Sequence, residues 1–345
     1  MDMTTDNKAV TTTSSKPPLL VDRFGRHVNY VRVSVTDRCD FRCVYCMSED
    51  MEFVPRSQIL TLEEIAFIVR AFTELGVTKI RITGGEPLVR RNIHWLFKQI
   101  SQLDGLQQCV LTTNGSQLAK YAEQLYQSGV HRINISLDTL NVDRFKKMSR
   151  VGDLQKVLQG IAAAKKFGFK RIRINSVVLK NYNHDEVVDL VAFAIEQSLD
   201  IAFIEEMPMG LIGERSRAIT YYSSDAIKDD LEQHYQLTKE ANYADGPARY
   251  YQVAGTNTRV GFISPHSHNF CSQCNRVRLT PEGRLLLCLG QEHSVDLRHI
   301  IRSHPGDIDI LKHAIIESMA IKPLGHDFDL TSQPVILRHM NVTGG

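Results

Sequence analysis

The chain has 345 residues, 43% of them apolar, and a formal net charge of +2. That length exceeds an ordinary single domain, and the apolar fraction is enough to fill a real core. The near-balance of charge excludes a chain built for general nucleic-acid or membrane-surface binding, and no apolar run approaches the roughly eighteen residues of a membrane span.

Residues 1–18 are rich in Thr and Ser, carry Asp2 and Asp6, and lack an apolar h-region. They read as neither a secretory signal nor a transit peptide, and a disordered tail is expected. Seven cysteines in such a chain favour the reducing cytoplasm and metal ligation over disulfides. From Tyr30 to about Met207 the pattern alternates strand and helix. Predicted strands are Tyr30–Val35, Lys79–Thr83, Cys109–Thr113, Arg132–Leu137, Arg171–Leu179 and Ile201–Glu205. Predicted helices are Leu62–Leu75, Asn92–Gln102, Gln117–Gln127, Asp153–Phe167 and Asp185–Gln197. Thr61 with Glu64 spells a capping box, and Gly76, Gly129 and Gly168 follow helical runs where a left-handed stop is wanted. Six strands with helical crossovers argue for a parallel sheet, curled by right-handed crossovers into an open, partial (β/α)6, TIM-like barrel. After Pro208–Thr220 comes an amphipathic stretch, Ser224–His234, and then the alternation stops. Short strand-like pieces follow at Tyr250–Val253, Val260–Ile263 and Val277–Leu279, with a helical segment near Asp309–Met319. The expected division is a tail (1–18), a barrel (19–222) and a C-terminal region (223–345).

Active sites of such barrels lie at the C-terminal strand ends. There fall Cys39–Cys46, Gly84-Gly85-Glu86-Pro87, Thr112-Thr113-Asn114-Gly115, Ser136 with Asp138, Asn175, and Glu205-Glu206-Met207. Cys39, Cys43 and Cys46 place three thiols within eight residues, too close for structural disulfides and suited to one metal centre. An iron–sulfur cube takes one thiolate per iron, so three local cysteines leave one iron open for a substrate or cofactor. A structural zinc knuckle is the bland alternative. Gly84 and Gly85 let backbone approach a ligand closely, and Glu86 adds an acceptor; an ordinary turn would also use two glycines. Cys271, Cys274 and Cys288 form a second trio without a fourth thiol. Zinc held with His266 or His268 is the plain reading. Against it, Arg276 and Arg278 share one face of a short strand beside the thiols, and such forks suit phosphate or base edges. Cys109 belongs to neither trio and reads as a buried apolar thiol.

The first trio resembles the radical S-adenosylmethionine (SAM) superfamily. From about Leu20 to Gly345 the chain is similar to the GTP 3′,8-cyclase family within it, which opens molybdenum cofactor biosynthesis. The motifs carrying the likeness are Arg32 with Ser34-Val35-Thr36-Asp37-Arg38-Cys39, Cys43-Val44-Tyr45-Cys46, Arg81-Ile82-Thr83-Gly84-Gly85-Glu86-Pro87, Thr112-Thr113-Asn114-Gly115, Gly246-Pro247-Ala248, Phe270-Cys271 through Arg278, Cys288 and Gly344-Gly345. The resemblance implies that Cys39, Cys43 and Cys46 hold a SAM-cleaving [4Fe–4S] cluster and that Tyr45, Gly85, Ser136 and Met207 line the SAM pocket. It implies that Cys271, Cys274 and Cys288 hold a second [4Fe–4S] cluster whose open iron takes the guanine of GTP. Arg32, Arg81, Thr112, Arg173, Arg276, Val277 and Arg278 match GTP-contact positions. Arg276, Arg278, Gly344 and Gly345 would serve the reaction itself, with the Gly-Gly end reaching the barrel mouth. A synthase making cyclic pyranopterin monophosphate would take the product, a flavodoxin or ferredoxin system would supply electrons, and a homodimer is compatible. Two positions depart from the family: Arg173 stands where Lys is usual, and Ala202 where Arg is common. A peptide-modifying radical SAM enzyme would be expected to carry more C-terminal cysteines and a docking module. A zinc- and GTP-binding regulator would carry zinc in place of iron and sulfide.

Overall fold

The computed structural model describes residues 19–212, 216–240, 246–331 and 336–344. The expected amino-terminal tail and Gly345 lie outside them. The barrel strands are β1 (Tyr30–Ser34), β2 (Lys79–Thr83), β3 (Gln108–Thr113), β4 (Arg132–Ser136), β5 (Arg171–Val178) and β6 (Asp200–Glu205). Between them run helices α1 (Leu62–Glu74), α2 (Ile93–Ser101), α3 (Leu118–Gln127), α4 (Val142–Ser149), α5 (Leu154–Lys165) and α6 (Val187–Glu196). All six predicted strands and five predicted helices are present, and Thr61 and Glu64 form the expected reciprocal cap. Two local expectations fail. The β4–β5 crossover contains an additional helix, α4, capped by Asn141. Gly168, unlike Gly76 and Gly129, does not take a left-handed conformation; α5 has already ended at Lys165, so no stop is needed there.

Two short helices follow, α7 (Arg217–Thr220) and α8 (Ser224–Glu232). The remaining strands are β7 (Leu237–Lys239), β8 (Arg249–Val253), β9 (Arg259–Ile263), β10 (Arg276–Leu279), β11 (Arg284–Leu286) and β12 (Ser294–Asp296). Helices α9 (Leu297–Ser303), α10 (Ile308–Ser318) and α11 (Met340–Thr343) complete the order. One 12-stranded sheet results, ordered β12-β11-β10-β1-β2-β3-β4-β5-β6-β9-β8-β7. Its middle, from β10 to β9, is parallel, and antiparallel hairpins finish both ends. The sheet is open, as expected. Residues after 222 do not abandon it: β9 extends it beside β6 and β10 beside β1.

Strand alternation explains the layering. In β1, Val31 and Val33 are fully buried on the helix side, and Ile80 and Ile82 of β2 do the same against Ile68, Phe72 and Phe97. Each such side chain contributes about 1.5–3 kcal/mol by leaving water. The alternate positions, Tyr30, Arg32, Lys79 and Arg81, are thereby turned into the barrel. The same two-residue period that builds the core aims the cations.

Candidate functional site

Cys39, Cys43 and Cys46 lie on the loop after β1, all partly buried. The unpredicted α4 braces that loop. Val44 N donates to Met148 O (2.9 Å) and Arg42 N to Ser149 O (3.0 Å). Arg150, left-handed at φ 62°, donates from Nη1 to Arg42 O (3.1 Å) and Met47 O (3.2 Å). Asp40 accepts from Asn114 Nδ2 (2.7 Å) and Ser116 Oγ (2.6 Å), tying the loop to the end of β3. The double glycine explains the remaining contact. A Cβ at Gly84 would stand 2.6 Å from Thr36 O, and one at Gly85 2.5 Å from Arg38 O. The glycines let backbone meet the cysteine loop, while their main chains also line a cavity over the trio. Glu86 is not a ligand acceptor as expected. It is wholly buried and accepts from Leu88 N (2.9 Å), Thr113 Oγ1 (2.8 Å) and Asn114 N (2.6 Å). Burial pushes its carboxyl up to about 7 against those bonds.

Burial pushes the Cys46 thiol up to about 12 and lifts Cys39 and Cys43 further above the ordinary thiol range. Three thiolates here need compensating positive charge, which the irons of a cluster supply. Among the described residues, no three His, Cys, Asp or Glu side chains are placed to hold a single metal ion. A cube spreads its ligands over separate irons, so the trio need not converge on one point. The donor set therefore fits a cluster.

The cavity over this trio measures about 100 Å³, and a larger one of about 210 Å³ adjoins it. Tyr45, Ser136 and Met340 line both. Tyr45 Oη donates to Asp138 Oδ2 (2.7 Å), and Asp138 Oδ1 accepts from Val177 N (2.9 Å). Burial pushes the Asp138 carboxyl up to about 6. Of the residues expected at the SAM pocket, Gly85 lies on the smaller cavity, Met207 on the larger, and Tyr45 and Ser136 at their junction.

The larger cavity is strongly cationic. Arg32, Lys79, Arg81, Arg132, Arg171, Arg173, Arg276 and Arg278 all line it. Register sets Arg278, Arg32 and Arg81 side by side on β10, β1 and β2, and Thr112, Asn134 and Arg173 side by side on β3, β4 and β5. Arg81 donates to Thr112 Oγ1 (2.9 Å) and to the Tyr30 phenol. With its amide turned to satisfy both neighbours, Asn134 accepts from Arg81 Nη1 (2.9 Å) and Arg173 Nη2 (2.6 Å). Arg173 also donates to Asn175 Oδ1 (3.0 Å) and to the Tyr250 hydroxyl. Burial, then crowding by Arg32 and Arg276, holds Arg278 well below the ordinary guanidinium range, and burial lowers Arg32 to about 10. Tyr30 shows the field most clearly: burial opposes its ionisation, yet Arg81, Arg32 and Lys79 draw its phenol down to about 7. A multiply charged anion would relieve this crowding.

Sequence reasoning missed Lys79, Arg132 and Arg171, which stand at strand beginnings and look like solvated ends. Their signal was spacing, since each is two residues before an inward residue, Arg81, Asn134 or Arg173. Two expected contacts differ in kind. Val277 pairs with Val31 and packs its side chain in the core, leaving its main chain to the cavity. Thr112 lines the smaller cavity and reaches the cationic face through Arg81. Ala202 is fully buried, in register with Asn175 and Gly261.

The second trio borders the larger cavity. Cys271 and Cys274 precede β10 and Cys288 follows β11. Burial raises the Cys274 and Cys288 thiols, but Arg276 and Lys322 draw Cys274 down to about 7. The histidines of the zinc alternative are engaged elsewhere: His266 with Glu206 O (2.9 Å) and His268 with Asp225 (2.7 Å). The tail completes the mouth. Met340 N donates to Cys46 O (3.1 Å) and Asn341 Nδ2 to Asp37 O (2.8 Å). Gly344 O accepts from Arg32 Nη2 (3.2 Å) and Arg278 Nη1 (3.0 Å). Gly344 thus reaches the larger cavity, while Gly345 lies outside the described residues. Cys109 is fully buried in the core, as expected.

Comparison with known proteins adds three findings. Residues 33–194 match the family model of the Radical SAM superfamily, and residues 199–328 match that of Molybdenum Cofactor Synthesis C. The chain is 56% identical to a GTP 3′,8-cyclase of Saccharophagus degradans, covering 94% of this chain and 98% of that protein. It is 56% identical to a GTP 3′,8-cyclase of Pseudomonas entomophila over 95% of this chain and 99% of the other. Among solved structures it is similar to Streptococcus suis SuiB bound to S-adenosylmethionine, with a TM-score of 0.60 at 15% identity, covering 89% of this chain and 78% of that one. At that identity the likeness concerns the fold.

Proposed function

The chain belongs to the GTP 3′,8-cyclase family of radical SAM enzymes, and we propose that its two cysteine trios and the cationic cavity between them form one cyclisation site. The enzyme converts GTP to (8S)-3′,8-cyclo-7,8-dihydroguanosine 5′-triphosphate, the first step of molybdenum cofactor biosynthesis, using a [4Fe–4S] cluster and SAM. The observation that carries the proposal is the shared cavity. Eight cations and the second trio line the same space, and that space adjoins the first trio through Tyr45, Ser136 and Met340.

In this reading Cys39, Cys43 and Cys46 hold the SAM cluster, and Cys271, Cys274 and Cys288 a second [4Fe–4S] cluster. When bound, the first cluster with SAM would supply the radical chemistry that removes a hydrogen atom, and the second would supply a binding position for guanine. Arg32, Arg81, Arg173, Arg276 and Arg278 bind the triphosphate, with about 1.5–3 kcal/mol from each charge-assisted bond. Thr112 fixes the Arg81 guanidinium, and Val277 offers main chain. Tyr45, Gly85, Ser136 and Met207 seat SAM. Gly344 closes the mouth, so that the ribose C3′ is held in place and water is excluded, and Gly345 belongs to the same functional end of the chain. GTP gives up its C3′ hydrogen atom, which ends in 5′-deoxyadenosine; C3′ bonds to guanine C8, and one electron from the reductant with one proton from solvent completes N7–H. The product would pass to a synthase forming cyclic pyranopterin monophosphate, and a flavodoxin or ferredoxin would be the reductant.

Cys271→Ser separates the parts. With GTP, SAM and reductant under anaerobic conditions, it should lose cyclisation and retain SAM cleavage. Cyclisation at the normal rate would make the second trio structural.

A further inference from the structure

Lys322 is among the largest fully buried side chains of the described residues, at 1% exposure. A buried ammonium is costly unless it is both hydrogen-bonded and charge-compensated. Its hydrogen bonds are accounted for. Nζ donates to Leu287 O (2.7 Å) and Arg276 O (3.0 Å), and stands 3.9 Å from Cys274 Sγ. Two of these partners are carbonyls without net charge. The neighbouring acid, Asp22, is held at 2.6 Å by Arg26. Arg26 in turn donates to Cys271 O (2.7 Å) and Pro323 O (2.6 Å). The charge remaining for Lys322 is that of the cysteine trio.

Its position is also specific. Leu287 directly precedes Cys288, and Arg276 lies two residues after Cys274. One ammonium therefore ties together the two separated arms of the trio and stands within reach of the Cys274 sulfur. We propose that Lys322 is a positioning residue that sets the reduction potential of the cluster held by Cys271, Cys274 and Cys288, its ammonium bonding to the Cys274 thiolate. This rests on the second-cluster reading above. Reduction adds one electron from a low-potential donor and no proton, so the cluster gains one negative charge. A fixed cation and a hydrogen bond to ligand sulfur both favour the reduced form. Lys322 thus raises the potential.

The test uses full-length protein with Cys39, Cys43 and Cys46 changed to Ser, which isolates the second trio. Iron and sulfide are counted first: their absence overturns the second-cluster reading, and the present proposal with it. With the cluster in place, Lys322→Gln, which keeps a donor for the two carbonyls, should shift the midpoint to more negative values. The reduction equilibrium should fall about tenfold, or roughly 59 mV for one electron. Lys322→Arg should restore most of the shift. An unchanged midpoint in Lys322→Gln with full iron overturns the proposal, because a merely structural lysine would not move it. Should the Gln variant fail to hold iron, the unsubstituted lysine is read instead. With ε-15N-lysine labelling, the reduced cluster should show coupling to one lysine nitrogen by pulsed paramagnetic resonance. No coupling there overturns the proposal.

Discussion

Gly344→Ala is expected to separate cyclisation from cofactor chemistry. Gly344 has φ 75°, and a Cβ there would stand 2.1 Å from Thr83 Cγ2 and 3.0 Å from Thr83 Cβ. The backbone there, φ 75° and ψ 123°, is one that L side chains sparsely populate, and it costs an alanine about 1–3 kcal/mol. Relieving the overlap requires more than about 1 Å of movement before ordinary contact distance is reached. That movement draws the Gly344 carbonyl from Arg32 and Arg278, at 3.2 and 3.0 Å. A displacement of about 1 Å at a positioning element can cost on the order of 10²-fold in rate. The variant should therefore cyclise GTP about 10²-fold more slowly, with iron content and 5′-deoxyadenosine formation largely preserved. Truncation before Gly344 should be at least as severe. Adding Thr83→Ala removes the nearest two atoms but leaves a tight Cβ contact, so partial recovery is expected. The assay is anaerobic single-turnover incubation, with product and 5′-deoxyadenosine quantified by mass. Normal cyclisation in Gly344→Ala would refute the reasoning and leave the tail a frayed end.

Arg276→Ala and Arg278→Ala should each lose about 1.5–3 kcal/mol of substrate or transition-state binding, roughly 10–100-fold in kcat/KM. The thermal midpoint should barely move, and a large stability loss with normal GTP affinity would mark them as structural. Tyr30→Phe tests the cationic field through pH. The folded phenol ionises near 7 against an ordinary 10, so wild type gains stability over the variant as pH rises from 7 to 10 and none below 7. Parallel denaturation series at pH 6 to 9 measure this, and a pH-independent difference contradicts it. Cys39→Ser should abolish 5′-deoxyadenosine formation; retained SAM cleavage would remove Cys39 from the ligand set.

The cysteine trios and double glycine were legible because their chemistry is local in sequence. The barrel was legible because Val31-Val33 and Ile80-Ile82 alternate with polar residues at a period of two. Helix α4 escaped because only Phe145, Met148 and Ser149 are buried on it, too thin a stripe to stand out. Yet that helix braces the cysteine loop. Strands β11 and β12 have three residues each, below the length at which alternation speaks. Lys322 was illegible for a different reason: a lone lysine before Pro323 looks solvated, and only tertiary contacts with Arg276 and Leu287 bury it. The role of Glu86 likewise depends on Thr113 and Asn114, which no local pattern joins to it.

The central claim is that one cavity joins radical generation to GTP. The most direct measurement uses GTP deuterated at C3′, with SAM and reductant under anaerobic conditions. The account predicts one deuterium in 5′-deoxyadenosine, together with a nucleotide product isomeric with unlabelled GTP, its N7 hydrogen having replaced the deuterium lost from C3′. 5′-Deoxyadenosine without deuterium, or a protein carrying zinc in place of iron and sulfide, would contradict it.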